Sequence, residues 1–367
     1  MDLVDITLWD SEEIRSILVS QVFILAPYDL KVRRFVPMPG DMLEEIWMAN
    51  GVERRFPLPP YAIVNMAEAA DAIEHMVSCN RAQYLDALLK PRFQDPMYEL
   101  LRDTYSFADG YSRQTRDIKT KSLLQDTFSL WIACRLTSHP EAIVGLDTLG
   151  LTKKAMDDGF SPWKNQYPIP PVMSAQLECI LYTKLLRPLS AKVRTSLDEL
   201  FKKKSHDIWL EAYLAIFVLL HSCALLIKRD EEYARQINLI TKYANPESIK
   251  EHQKGAITLL AHFHRILHGP IPLRRAHQGD LQSFKKNWDF TPGQEQFMKR
   301  TYSTVLKMRE SLQKPEGEAR ACANFGLVPT SRSGSFFSSV RAARNLSNEF
   351  YWISQLYEED WVPDKMD

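Results

Sequence analysis

Four charged residues, Lys228, Arg229, Asp230 and Glu231, directly follow an apolar run from Ala212 to Ile227. Two cations beside two carboxylates are the groups needed to ionise a diphosphate ester. Lys228 and Arg229 would stabilise the departing diphosphate. Asp230 and Glu231 would hold Mg²⁺, which favours carboxylates together with phosphate oxygens. Upstream, Tyr213 and Phe217 could wall a cavity and steady a carbocation. His221 lies seven residues before Lys228, so the two share a helix face with Ala224 between them. These side chains read as a polar mouth on an apolar pocket. The same run also reads as a helix leaving the core for solvent, with Lys228 and Glu232 as an i,i+4 pair.

Three histidines, His262, His264 and His268, end a second apolar segment. His264 and His268 have the four-residue spacing of two metal ligands on one helix. No glutamate follows His264 as HExxH chemistry requires, so a metalloprotease is excluded and packed histidines are the simpler reading. His264 can instead line the same apolar pocket. Asp157 and Asp158 are a carboxylate pair, but Gly159 and Pro162 argue against the helix that would project both toward a metal. There is no Gly-rich phosphate loop, no GxSxG and no Cys/His nucleophile pattern. The basic clusters at 200–207 and 340–345 are short and read as solvated faces.

The 367 residues carry 46 basic and 46 acidic side chains, so no global positive charge points to nucleic acid or an anionic membrane. With 45% hydrophobic residues the chain can bury a sizeable core. The cysteines Cys79, Cys134, Cys179, Cys223 and Cys322 are dispersed with no CxxC pair, which suits free thiols in a reducing compartment. The start of the chain is acidic and lacks the apolar core of a secretion signal. The apolar run to Ile227 is interrupted by His221 and Ser222 and is too short for a membrane span. These features lead to the expectation of an intracellular protein, nuclear or cytoplasmic.

Stepping outward from these residues, the chain reads as mostly α, a single large helical domain with a short extended section at its N-terminus. Residues 1–65 hold extended pieces split by Pro27, Pro37, Pro39 and Gly40. Helical periodicity spans 66–89 and 121–137. Residues 138–172 read as a connector rich in Gly and Pro. Helices follow near 173–204, 206–240 and 246–268, the last opened by an Asn245 cap and Pro246. Residues 270–292 read as loop and 293–313 as helix. Residues 314–335 read as a mobile loop within a helical domain of 66–367, closed by a helix through 337–361.

Several phrases recur in a recognisable order: LKVRRFVPMPGD (30–41), PLPPYAI (57–63), LWIACRL (130–136), DTLGL (147–151), YPIPPVMSAQLE (167–178), the two apolar helices, and SQLYEEDWVP (354–363). In this the chain resembles the C-terminal region of fungal regulators that begin with a Zn2Cys6 binuclear cluster. The resemblance implies a mostly helical regulatory or effector domain. The six-cysteine pattern occurs nowhere in these 367 residues, so direct DNA binding is not expected. Ser174 stands where the family often has an acidic residue. His268-Gly269 stands where it usually has a lysine and glycine.

Two functions are compatible with these residues. The first is a regulator-type domain without its own DNA-binding module. It binds a small apolar effector, a protein partner, or both, through a pocket of Tyr213, Phe217, His221, Ala224 and His264, with no cofactor. The second is an unconventional sesquiterpene cyclase of the humulene-forming type acting on farnesyl diphosphate. It would use Mg²⁺ on Asp230 and Glu231, with Lys228, Arg229 and Asp230 as catalytic groups. The resemblance favours the first.

Overall fold

Residues 28–32 alternate buried and exposed side chains with period two, the pattern of a strand with one face on a core. A computed structural model describes residues 8–21, 24–89, 96–138, 141–152, 161, 163, 166–203, 208–237, 246–267, 272–279, 290–313 and 348–363. The N-terminal section forms β1 (Trp9–Gln21), β2 (Tyr28–Phe35), β3 (Glu44–Ala49), β4 (Val52–Pro57) and β5 (Tyr61–Ile63). The connector expected at 138–172 supplies two further short strands, β6 (Glu141–Ile143) and β7 (Tyr167–Pro168). They complete an antiparallel sheet of order β5-β2-β1-β6-β7. The remainder is mostly helical, as the periodicity predicts.

β3 and β4 form a separate two-stranded hairpin. Its turn, Asn50-Gly51, has φ of 51° and 75°. Positive φ at both central residues matches the right-handed twist of a tight hairpin, and Asn-Gly tolerates it best. The hairpin turns Trp47 and Ala49 onto Ala142 and Trp163, with Phe56 beside them.

By contacts the chain divides into two compact units. One comprises Met1–Leu88 and Ser129–Ala191, the other Leu89–Phe128 and Lys192–Asp367. In the first unit Asn65 caps α1 (Met66–Cys79), its Oδ1 accepting from the amides of Ala67 and Glu68 at 3.0 and 3.2 Å. The expected helix over 66–89 breaks at Asn80, whose amide and side-chain NH₂ both donate to the Met76 carbonyl, and resumes as α2 (Arg81–Leu89). On α5 (Pro171–Ile180), Gln176 exchanges hydrogen bonds with the backbone of Ile63, at 2.7 and 3.3 Å. A side-chain amide thus satisfies the edge strand β5 as a further strand would. The helix then widens into a π turn at Leu181–Leu186 before α6 (Arg187–Lys202). Pro188 explains the widening, because a proline inside a helix has no amide for the carbonyl four residues back.

The second unit is built from α3 (Pro96–Gln114), the first half of α4 (Ile118–Ser138), most of α6, α7 (Trp209–Ile237), α8 (Pro246–Leu267), α9 (Pro272–Gln278), α10 (Pro292–Gln313) and a single α-helical turn α11 (Tyr351–Ser354). α3 was not foreseen, and α9 lies in the stretch expected to be loop. Of the closing helix expected over 337–361, the described part forms only α11 and a 3₁₀ turn at Gln355–Tyr357. Among the described residues one helical stretch, Trp209–Glu232 of α7, is long and apolar enough to cross a membrane, and most of it is buried in the protein interior. The expected cap Asn245, the loop 314–335, the cluster 340–345 and Cys322 lie outside the described residues.

Candidate binding face of the helical unit

A helix that is apolar on every side belongs at the centre of a bundle. α7 behaves so: from Trp209 to Val218 every side chain except Glu211 is buried. α3, α8 and α11 pack on it. Its aromatic side chains gather those of its neighbours. Trp209 stacks on Tyr213 with ring centroids 5.2 Å apart, and Tyr213 and Phe217 are 5.8 Å apart. Phe263 of α8 and Phe297 of α10 each lie 6.3 Å from Tyr213. Tyr357 completes the group at 6.4 Å, its phenol oxygen 2.8 Å from that of Tyr213. Burial, partly offset by hydrogen bonds with Tyr357 and Thr104, pushes the Tyr213 phenol up to about 12.

Further along α7 the polar residues converge on the segment that contains α11. His221 is fully buried, and its Nδ1 hydrogen-bonds with the Tyr105 hydroxyl at 2.7 Å. Its Nε2 lies 4.0 Å from Glu349 Oε2. The other oxygen of Glu349 accepts from Lys228 Nζ. Burial alone would raise the Glu349 carboxyl, but His221 and Lys228 overcome it and pull it down to about 2. Lys228 is raised in turn: burial opposes its charge, and Glu349 more than compensates. The spacing of seven that aligned His221 with Lys228 therefore places both on one carboxylate.

α8 contributes the second half of the face. His264 Nε2 donates to the Gln355 carbonyl at 2.9 Å, and its ring stacks on Trp361 at 5.0 Å. Trp361 Nε1 donates to Gln355 Oε1 at 2.8 Å. Beyond α8, Arg274 of α9 forms a two-pronged pair with Glu359 at 2.6 and 2.7 Å. His262 points elsewhere, stacked on Phe201 at 4.8 Å.

The pocket residues read from sequence thus fall into one unit. Tyr213, His221 and His264 each touch the segment Asn348–Trp361, whereas Phe217 and Ala224 are buried beside them on α7. Lys228 joins them, but Asp230 does not. Burial raises the half-buried Asp230 carboxyl, and His252 of α8 and Arg229 draw it back. Arg229 and Glu231 are partly exposed at the same end of α7. Among the described residues no three His, Cys, Asp or Glu side chains converge as metal ligands. Asp157, Asp158 and His268 lie outside those residues. Sequence reasoning missed Glu349, Gln355 and Tyr105 as contributors. The first two sit in an aromatic-rich run, NEFYWISQLYEEDW, which overlaps the phrase SQLYEEDWVP but gives no sign of what its polar side chains meet.

The first unit holds a separate buried polar cluster. Glu141 accepts from the Tyr28 hydroxyl at 2.6 Å, and Tyr84 donates to Gln21 Oε1 at 3.0 Å. Gln21 in turn donates to the carbonyls of Arg135 and Leu136. Burial pushes the Glu141 carboxyl up to about 7; Tyr28 opposes that rise and Glu178 adds to it.

On α7 and α8 an aromatic cluster, an imidazole and an ammonium beside one carboxylate, and a donor to a main-chain carbonyl come together. A family model described as KpeA transcription factor matches residues 1–325, which include α7, α8 and α9. The chain is also similar to the Satratoxin biosynthesis SC3 cluster transcription factor SAT20 of Stachybotrys chartarum (strain CBS 109288 / IBT 7711). The two are 21% identical over 258 residues, 67% of this chain and 34% of that protein. The chain therefore spans about a third of the length of this curated relative. No solved structure matches.

Proposed function

This chain belongs to the KpeA transcription factor family, and from that premise we propose that it acts as a regulator-type domain by binding a small apolar effector, a protein partner, or both. The observation that carries the reading is the convergence of Tyr213, His221, Lys228 and His264 on one segment. These four come from two helices and contribute a phenol, an imidazole pair and an ammonium to a single surface. Surfaces that combine aromatic anchors with a few placed polar groups are the common form of recognition sites. Work inside the cell, in the nucleus or in the cytoplasm beside it, goes with this role. The similarity to a fungal cluster transcription factor extends the proposal to the control of secondary metabolism.

The test is a tethered reporter. The full chain is fused to an unrelated DNA-binding module and placed upstream of a reporter gene in a fungal host. A several-fold change in reporter output, reduced when Lys228 and His264 are both replaced by alanine in a chain that still accumulates, supports the reading. An inert fusion at normal protein levels sinks it.

A further inference from the structure

We propose that the segment Asn348–Trp361 is an intramolecular ligand of the α7–α8 face, and that the face accepts in its place a helical segment of a partner protein carrying one carboxylate followed by aromatic residues. The inference rests on the reading above that this face is a binding surface, and it specifies what the face takes.

The chemistry of the occupant shows what is recognised. At its start, Glu349 enters between His221 and Lys228. A segment without a carboxylate there would leave the Lys228 ammonium, more than half covered, without that counter-charge. In the middle, His264 donates to the main-chain carbonyl of Gln355. A main-chain contact reads backbone position and tolerates different side chains. At the far end, Tyr357 meets the hydroxyl of Tyr213, and Trp361 lies flat on His264. Acid, backbone and aromatics are thus read in order along the chain from Glu349 to Trp361.

The seat also fits its present occupant imperfectly. Trp352 is fully buried, yet its indole N–H has no acceptor among the described residues. The side-chain NH₂ of buried Asn348 likewise has no partner among them. Burying a donor without an acceptor is costly, so this segment is held less tightly than its apolar area suggests. Its own regular structure is one α-helical turn and one 3₁₀ turn, so it supports itself little. A partner with a longer helix, or without unpaired buried donors of its own, would compete well.

The experiment uses the full chain and a fluorescein-labelled peptide with the sequence of residues 348–362. Glu349→Gln in the full chain weakens the internal competitor and leaves the face intact. The peptide is expected to bind this variant about tenfold more tightly than the wild type, because a charge-assisted hydrogen bond has been removed from the competitor alone. Adding Lys228→Met to the variant should abolish the gain. Equal or absent peptide binding to a folded Glu349→Gln chain overturns the proposal. Should that variant not fold, hydrogen exchange on the wild type decides. The amides of Ser354 and Glu358 must exchange well before those of α7 and slow again with excess peptide. Exchange only together with α7 makes the segment permanent core and ends the idea. An active tethered reporter without peptide binding defeats this inference alone. Peptide binding with a silent reporter defeats the regulatory reading alone.

Discussion

The phenol oxygens of Tyr213 and Tyr357 lie 2.8 Å apart although 144 residues separate them in the chain. Both side chains are buried, so neither hydroxyl can turn to bulk water if the other is lost. Tyr357→Phe should therefore destabilise the protein by about 1 kcal/mol, the net worth of one buried hydrogen bond, since Thr104 still meets the Tyr213 hydroxyl. Removing both hydroxyls should cost less than the sum of the two single changes, because the hydrogen bond they share is lost only once. Urea unfolding of the four proteins in this cycle measures the coupling. Strict additivity would show that the two hydroxyls do not depend on each other.

Glu349 makes the end of the same segment sensitive to acid. Its carboxyl titrates at about 2 in the folded protein, against an ordinary value of 4.5. The folded state thus holds the carboxylate where the unfolded chain has already taken up a proton. The resulting stabilisation is complete above about pH 4.5 and is lost as pH falls toward 2, up to about 3 kcal/mol. In Glu349→Gln this slope should vanish, so the stability of the two proteins converges as pH falls through that window. Denaturant titrations at a series of pH values test it, and parallel curves would count against the pairing with His221 and Lys228.

How far this face could be read in advance depends on distance along the chain. α7 and α8 were legible because their apolar runs are long and Pro246 marks a start. The shared face of His221 and Lys228 was legible because helical geometry fixes it locally. Their partner was not: Glu349 lies 121 residues beyond Lys228, and no local rule links the two. α3 escaped notice because it contains Gly110 and several Ser, Thr and Asp residues, all weak helix formers. It is held by packing, with Phe107 stacked on Phe297 at 3.9 Å and Tyr105 against His221. β6 and β7 span three and two residues, too short to show any period. In the closing segment, residues Tyr351 to Tyr357 are all buried, so no polar face betrays where the helix ends.

The hairpin offers a purely conformational test. Gly51 has φ of 75°, and a Cβ placed there meets nothing within 4 Å. The cost of Gly51→Val therefore comes chiefly from the backbone. A β-branched residue forced into the left-handed region should destabilise the hairpin by about 1–2 kcal/mol. Trp47, a buried side chain of the hairpin's first strand, reports on it. A red-shifted Trp emission at lower urea than in the wild type is expected. An unchanged midpoint would mean that the turn does not hold the strands.

Glu141 reverses the acid argument made for Glu349. Its carboxyl, buried on β6 with Tyr28 as hydrogen-bond donor, is pushed up to about 7 from 4.5. Between those values the folded protein keeps a proton that the unfolded chain has released. Stability therefore falls as pH rises through this window, by up to about 3 kcal/mol if the site stays dry. Glu141→Gln keeps an acceptor for Tyr28 and cannot ionise. It should match the wild type near pH 4.5 and exceed it in stability above pH 7. Urea midpoints measured from pH 4.5 to 8 check the sign directly. A wild type that gains stability over this range relative to the variant would mean that Glu141 is held as a carboxylate by a partner, and would overturn its assignment as a buried neutral acid.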